Sequence, residues 1–86
     1  MEIAQVVISK QGRDKAMPFI VYAIEDNFLY LVDGDLRKLT KPKKKKIMHV
    51  QPTNYVDNGL KEMIINKSYL LDSDIKKAIK RFINKV

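Results

Sequence analysis

The sequence has no cysteine and no tryptophan, and only three glycines and three prolines occur among its 86 residues. Without cysteine the chain has no disulfide, thiolate metal site or cysteine nucleophile, and it suits a reducing cytoplasm. The N-terminus lacks the basic and apolar regions of a signal peptide, and no run approaches the ~18 apolar residues that span a bilayer. We therefore expect a cytoplasmic protein with no membrane partner.

Patterns typical of catalysis and cofactor binding are also missing from the sequence. The single histidine, His49, has no Cys, Asp or Glu nearby at the spacing of metal ligands. Gly12 and Gly34 are isolated, so neither a phosphate-binding P-loop nor a dinucleotide fingerprint is present. Asp72 and Asp74 flank a serine as paired carboxylates would, but a helix start favours such residues as caps. We expect no enzyme, no metal, no cofactor and no small-molecule substrate.

The composition is that of a small folded domain with a basic excess. Apolar residues make up 45% of the chain and charged residues 31%, which leaves enough material for a core. The 17 Lys and Arg outnumber the 10 Asp and Glu, giving a formal net charge of +7 that attracts polyanions. Net charge alone does not separate RNA from DNA, an anionic membrane or a solubilising surface, so the arrangement of the charges must decide.

Short β-branched runs separated by turn residues predict four strands and leave a fifth, short one open. We expect strands over residues 3–9, 17–24, 28–32 and 47–51. The last of them is expected to end at Pro52, residues 36–39 are the candidate fifth strand, and Lys43 to Lys46 are expected to form a basic loop. The second and third strands are apolar on both faces, which predicts a closed or strongly curled sheet covered by another element.

The sequence of the C-terminal region predicts a helix that could cover the sheet. Asp72-Ser73-Asp74 is typical of an N-cap and first helical turn. The apolar residues that then recur at helical spacing are Ile75, Ala78, Ile79, Phe82 and Ile83. A shorter helix is expected to end near Asn66. The predicted architecture is a single, mainly β domain over residues 1–86, with a small barrel of about five strands over 3–54 and a helical extension over 55–86 packed on it.

Basic residues fall into three groups along the chain. The first loop carries Lys10, Arg13 and Lys15, and the last helix carries Lys76, Lys77, Lys80, Arg81 and Lys85. The group after the Asp33-Gly34-Asp35 turn comprises Arg37, Lys38, Lys41, Lys43, Lys44, Lys45 and Lys46, with no acid among them. The charge repulsion within this group is relieved when a polyanion binds. Lysines on the last helix, by contrast, are most often only the solvent-exposed face of that helix. Tyr22, Phe28, Tyr30 and Tyr55 are candidates for base stacking, although strand aromatics more often belong to the core.

One stretch carries a family resemblance. Residues 6–15 read Val-Val-Ile-Ser-Lys-Gln-Gly-Arg-Asp-Lys and are followed by Phe19-Ile20-Val21. This stretch resembles a KOW motif, the strand-loop-strand unit of several ribosomal proteins and transcription elongation factors. With Leu31 to Gly34, Arg37-Lys38, Pro42 to Lys46 and His49 to Pro52, residues 3–54 resemble small bacterial KOW-domain RNA-binding proteins related to the fourteen-e family of large-subunit ribosomal proteins.

The resemblance implies an SH3-like barrel of about five strands whose first loop contacts RNA phosphates. It implies that Gly12 makes the turn, that Arg13 and Lys15 face phosphate, and that Asp14 braces the loop. Relatives commonly have Gly where this chain has Ala16. If this residue adopts a positive φ, alanine costs about 1 kcal/mol there.

These observations lead to two hypotheses of different classes. The first is a monomeric RNA-binding protein that recognises structured RNA, with ribosomal RNA as the expected target, through phosphate contacts. Its predicted site comprises Lys10, Gly12, Arg13, Asp14, Lys15, Arg37, Lys38, Lys41, Lys43, Lys44, Lys45 and Lys46. On this hypothesis alanine at the last four positions markedly flattens the dependence of log affinity on log salt and leaves thermal stability almost unchanged. The second is a protein-interaction module that binds Pro-rich peptides in an aromatic groove, as SH3 domains do.

Overall fold

The computed structural model describes residues 1–85 of the chain, which form five β-strands and two α-helices. The strands are β1 (Gln5–Ser9), β2 (Pro18–Glu25), β3 (Phe28–Val32), β4 (Lys43–Lys46) and β5 (Val50–Val56). A single 3₁₀ turn, Ile47–His49, joins β4 to β5. The helices are α1 (Asn58–Ile65) and α2 (Asp72–Lys85). The structure thus confirms a mainly antiparallel β fold with two C-terminal helices.

The five strands form one antiparallel sheet in the order β4-β3-β2-β1-β5. The predicted barrel is not closed, because within residues 1–85 the edge strands β4 and β5 pair only with β3 and β1. The sheet is nevertheless strongly curled. Edge strands of a flat five-stranded sheet would lie about 19 Å apart, whereas a 3₁₀ turn advances only about 2 Å per residue. Three residues connect these two edges, so the edges must approach each other at that end.

The predicted basic loop at residues 43–46 is wrong, because these residues form β4. Four lysines carry no local β signal, but their backbone groups pair with β3, placing Lys45 opposite Leu29 and Lys43 opposite Leu31. Non-local pairing of this kind overrides strand propensity. The candidate fifth strand at residues 36–39 is also wrong, since that segment forms a bend and turn between β3 and β4.

The predicted strand over residues 47–51 begins later and ends later than expected. Its first three positions form the 3₁₀ turn, and β5 then continues through Pro52 to Val56. Pro52 lies opposite Val7 in the register with β1. A proline is tolerated there because β5 is an edge strand, where a missing N–H need not break a ladder on the open side.

Both faces of the sheet are buried, as the apolar pattern of β2 and β3 predicts. On the concave face the buried residues are Val7, Phe19, Val21, Leu29, Leu31 and Val50. On the other face they are Ala4, Val6, Ile20 and Val32, which pack with Leu60, Ile75 and Ala78 of the two helices. The amphipathic C-terminal helix therefore covers the sheet, as predicted. No helix within residues 1–85 combines the length and the apolar character needed to cross a membrane.

The two aspartates at the start of α2 have different partners. The Asp74 carboxylate accepts a hydrogen bond from the Leu71 amide at 2.9 Å, which caps the helix as predicted. The Asp72 carboxylate instead accepts from the Leu39 amide at 2.8 Å and so ties α2 to the segment between β3 and β4. The same segment contacts α2 at Gly34, whose φ is +80° and whose backbone lies directly against the first turn of the helix.

We expect Gly34→Ala to lower the free energy of unfolding by at least about 2 kcal/mol. A Cβ atom there would overlap the Asp72 carbonyl oxygen, lie 3.1 Å from the Lys76 amide nitrogen, and require a left-handed backbone. The matched control is Gly59→Ala, since its Cβ would meet no atom nearer than 3.6 Å. That control should change stability by no more than about 1 kcal/mol, and in the stabilising direction. Urea denaturation compares the two variants, and equal effects would contradict the close packing of Gly34.

Candidate nucleic-acid interface

The first loop, residues 10–17 between β1 and β2, has a shape that its own backbone fixes. The Ala16 amide donates to the Ser9 carbonyl at 2.8 Å, and the Lys15 amide donates to the Gly12 carbonyl at 3.2 Å. Gly12 has a φ of +89° and Ala16 a φ of +72°. Glycine adopts this region freely, whereas the Cβ of alanine makes it strained. Ala16 therefore adopts the positive φ at which an alanine is expected to be strained.

A buried polar cluster joins the first loop to β4. Lys45 is only 7% exposed, and its ammonium donates to the Ser9 hydroxyl at 2.6 Å, the Gln11 carbonyl at 2.7 Å and Asp14 Oδ1 at 2.8 Å. Lys43 donates to Asp14 Oδ2 at 2.6 Å. The three hydrogens of the Lys45 ammonium thus all have acceptors, which a buried lysine requires. We call Ser9, Asp14, Lys43 and Lys45 the Asp14 cluster.

The Asp14 cluster keeps its carboxylate ionised. Burial by itself raises the pKa of Asp14, but hydrogen bonds from Lys43, Lys45 and Ser9 outweigh it and hold the pKa of this carboxyl well below its ordinary value. One carboxylate therefore faces two ammonium groups at neutral pH. The cluster keeps one excess positive charge at the end of the sheet.

The strand geometry of β4 divides its four lysines between two faces. Lys43 and Lys45 point to the concave face and Asp14, while the alternate residues Lys44 and Lys46 point to the other face and are exposed. Lys44 Nζ lies 4.5 Å from the centroid of the Phe28 ring. The four lysines are thus not one free patch, and because Lys43 and Lys45 bind Asp14 we now expect alanine at all four positions to lower stability.

Most of the other cations are unpaired. Carboxylate oxygens lie within 4.0 Å of five of the 17 Lys and Arg side chains, namely Lys43, Lys44, Lys45, Lys61 and Arg81. Among residues 1–85 the other twelve have no such partner. Seven of these unpaired cations belong to the predicted site: Lys10, Arg13, Lys15, Arg37, Lys38, Lys41 and Lys46. All seven are exposed except Arg37, which is half-buried.

Side chains from the first loop and from the turn after β3 meet around a cavity of about 550 Å³ at one end of the sheet. Its polar lining comprises Arg13, Asp14, Asp33, Arg37 and Lys43, and its apolar lining comprises Met17, Phe19 and Leu36. We call this cavity and its eight lining residues the basic groove. Arg13 comes from the first loop and Arg37 from the turn after β3, so the fold brings together cations that are distant in the sequence.

The turn that carries Arg37 is rigid. Asp33 Oδ1 accepts from the Asp35 amide at 2.9 Å and from the Arg37 amide at 2.8 Å. The Asp33 and Gly34 amides in turn donate to the Arg37 carbonyl at 2.9 and 3.1 Å. Together with the bond between Leu39 and α2, these contacts fix the wall of the groove opposite the first loop.

The predicted site is thus only partly brought together. Lys10, Lys15, Lys38 and Lys41 lie in the same two loops but do not line the groove, and Lys44 and Lys46 lie on the other face of the sheet. The apolar part of the groove was missed by sequence reasoning. A signal for it existed in Leu36, a large apolar residue between Asp35 and Arg37 in a polar turn, which the structure leaves 81% exposed.

Arg81 of α2 and two of the candidate stacking aromatics, Tyr22 and Tyr55, make structural contacts. Arg81 forms a 2.7 Å ion pair with Asp57, whose hydrogen bond raises the pKa of the arginine. Tyr55 packs edge-to-face on Phe82 with ring centroids 5.6 Å apart, and Tyr22 packs against the helix-covered core. These two tyrosines are partly buried and pack against the core, in line with the tendency of strand aromatics.

No family model and no curated protein matches this sequence. Over the part of the chain that the structure describes, no three His, Asp or Glu side chains are grouped as metal ligands would be. The basic groove is therefore the feature of this protein that points to a function, through its geometry and its charge.

Asp14→Asn should reduce the free energy of unfolding at pH 7 by about 2 kcal/mol, because Lys45 would stay buried without its carboxylate. The pKa of Asp14 is lowered in the folded state, so its stabilisation is present above the unfolded value near 4 and lost as the pH falls below it. The difference from wild type should then shrink by up to about 1.4 kcal/mol per pH unit below pH 4. Urea denaturation between pH 7 and pH 2.5 measures it.

The control for Asp14→Asn is Asp35→Asn, since Asp35 is exposed and forms no ion pair within residues 1–85. Its effect should stay below about 0.5 kcal/mol at every pH. A loss of unfolding free energy in Asp14→Asn that does not change with pH would contradict the conclusion that the Asp14 carboxylate is ionised.

Ala16→Gly should raise the free energy of unfolding by several tenths to about 1 kcal/mol, because glycine removes the strain of a φ of +72°. Ala23→Gly is the control, since Ala23 lies in β2 outside the positive-φ residues and should lose stability. Thermal unfolding of both variants gives the comparison. Destabilisation of equal size at both positions would show that Ala16 carries no strain.

Proposed function

We propose that this protein is a non-enzymatic RNA-binding protein that holds phosphates of structured RNA at the basic groove. The observation that carries the proposal is the meeting of Arg13 and Arg37 from two separate loops at one concavity. Neither guanidinium has a carboxylate oxygen within 4.0 Å among residues 1–85. A guanidinium presents a planar fork of donors that matches phosphate oxygens, so two such groups at one groove form a site for a ribose-phosphate chain.

The charge surrounding the groove supports the same proposal. Lys10 and Lys15 in the first loop, and Lys38 and Lys41 beyond Arg37, are exposed and add positive potential beside the two arginines. The net charge of +7 raises the local concentration of a polyanion and speeds its approach. This arrangement recognises the backbone and its shape rather than the base sequence.

We infer that the sheet is an SH3-like arrangement of the KOW type. Three features support this inference: the strand order β4-β3-β2-β1-β5, the single 3₁₀ turn between the edge strands, and the positive φ of Gly12 and Ala16 in the first loop. With the resemblance to ribosomal KOW proteins, they make ribosomal RNA the proposed target and the cytoplasm the proposed location. The proposed protein acts without a cofactor.

The alternative function, a module for Pro-rich peptides, has less support. Recognition of that kind uses a groove lined by exposed aromatic rings. The basic groove contains one aromatic residue, Phe19, and its side chain is only 2% exposed. Two arginines around a single buried ring favour an anionic chain over a polyproline helix.

The double variant Arg13→Ala/Arg37→Ala should bind a fluorescent hairpin RNA more weakly and with a flatter salt dependence. Each lost phosphate contact reduces the slope of log K against log salt by about 0.7 for single strands or 0.9 for duplex, so two reduce it by about 1.4 to 1.8. Fluorescence anisotropy at several salt concentrations measures the slope.

The matched control removes two exposed lysines of α2 in Lys77→Ala/Lys80→Ala, which changes the net charge equally. This control should retain most of the wild-type slope, because neither lysine lines the basic groove. An equal flattening by both double variants would show that binding follows net charge alone, and no binding by wild type would reject the proposed function.

A further inference from the structure

We propose that the basic groove accommodates one unpaired nucleotide of the bound RNA, with its base against the apolar lining and its phosphate at Arg13 and Arg37. This inference rests on the proposed function and adds a feature that phosphate recognition alone does not need. A surface that only neutralises phosphates requires cations, whereas this groove also has depth and an apolar wall.

The size of the groove suits a nucleotide. A cavity of about 550 Å³ falls within the range of about 300 to 1,000 Å³ in which proteins bind small organic ligands. A lone phosphate would leave most of that volume unfilled. A base with its ribose and phosphate occupies much more of it than a phosphate does, and the cavity is lined by both apolar side chains and the two arginines.

The apolar lining offers surfaces for a base. Met17 and Leu36 provide this surface, since 45% and 81% of their surfaces are exposed, whereas Phe19 is only 2% exposed and contributes almost none. Leu36 lies in the turn after β3 with most of its side chain in solvent, and a base bound against Met17 and Leu36 would cover both side chains. Unstacked bases bind in this manner because each base has a flat face that excludes water against apolar or aromatic side chains.

The polar groups of the groove are placed for the rest of a nucleotide. Asp33 uses Oδ1 for the Asp35 and Arg37 amides, and its Oδ2 makes no hydrogen bond with any residue from 1 to 85. That oxygen accepts from an N–H group on a base edge and repels a phosphate. The phosphate is therefore directed towards Arg13 and Arg37, which donate to its oxygens.

The groove is pre-organised on both sides. The Asp14 cluster fixes the first loop, and the Asp33 turn with its bond to α2 fixes the opposite wall. A site that is already ordered loses little conformational entropy when it binds, so the contact with a base is retained as affinity.

The test uses three RNA hairpins with the same stem: a fully paired one, one with a single-nucleotide bulge, and one whose bulged position is abasic. The abasic hairpin keeps the phosphate and lacks the base. Wild-type protein should bind the bulged hairpin about tenfold more tightly than the abasic one at equal salt, the effect expected of one stacked base. Fluorescence anisotropy measures all three affinities.

The variant Met17→Ala/Leu36→Ala should abolish this preference and keep the affinity for the paired and abasic hairpins. Both side chains are at least 45% exposed, so their truncation spares the core. The control Met48→Ala/Ile65→Ala removes one methionine and one aliphatic side chain that are 70% and 57% exposed and do not line the groove. It should leave the preference intact.

The outcomes separate this inference from the proposed function. Equal, salt-dependent binding of all three hairpins would overturn the nucleotide site and leave phosphate recognition standing. Tight binding of free nucleoside monophosphates without any preference for the bulge would likewise overturn it, because the groove would then be a site for a small molecule. No binding of any RNA would overturn both.

Discussion

The ion pairs of one carboxylate, Asp14, with Lys43 and Lys45 determine the geometry of the proposed interface. These are the only ion pairs that join the first loop to β4 among the described residues, and they add to the bonds from Lys45 to the Gln11 carbonyl and from the Lys10 amide to the His49 carbonyl. The carboxylate also removes the repulsion between two neighbouring ammonium groups in a partly buried place. As a result two cations of the basic run act as structural residues, and the arginines at the rim remain available for an external anion.

Elements with strong periodicity could be predicted from the sequence, and elements specified by distant partners could not. The strands β1 to β3 and the helix α2 have β-branched or amphipathic patterns that are visible locally. β4 consists of four lysines and becomes a strand only because β3 offers its backbone as a partner. The continuation of β5 beyond Pro52 depends on its edge position, which no local pattern reveals.

The candidate site was likewise predictable where it depends on local sequence and unpredictable where it depends on contacts between distant residues. The sequence shows which residues are charged, and the loops that carry Arg13 and Arg37 could be identified as basic. It does not show which charges neutralise each other, because Asp14 is remote in the chain from the lysines it contacts. Leu36 was the one hint of the apolar lining, and it could not reveal a cavity, because only the fold places it beside Met17 and Phe19.

The open sheet has a further consequence for how copies of this protein behave beside one another. An unpaired strand edge invites a neighbour to extend the sheet, which leads to aggregation. Here β4 presents consecutive lysines at one edge, and two such edges repel each other. The other edge, β5, contains Pro52, which cannot donate to an incoming strand. The lysines of β4 and the proline of β5 are unusual residues for strands, and they oppose strand addition at the two edges of the open sheet.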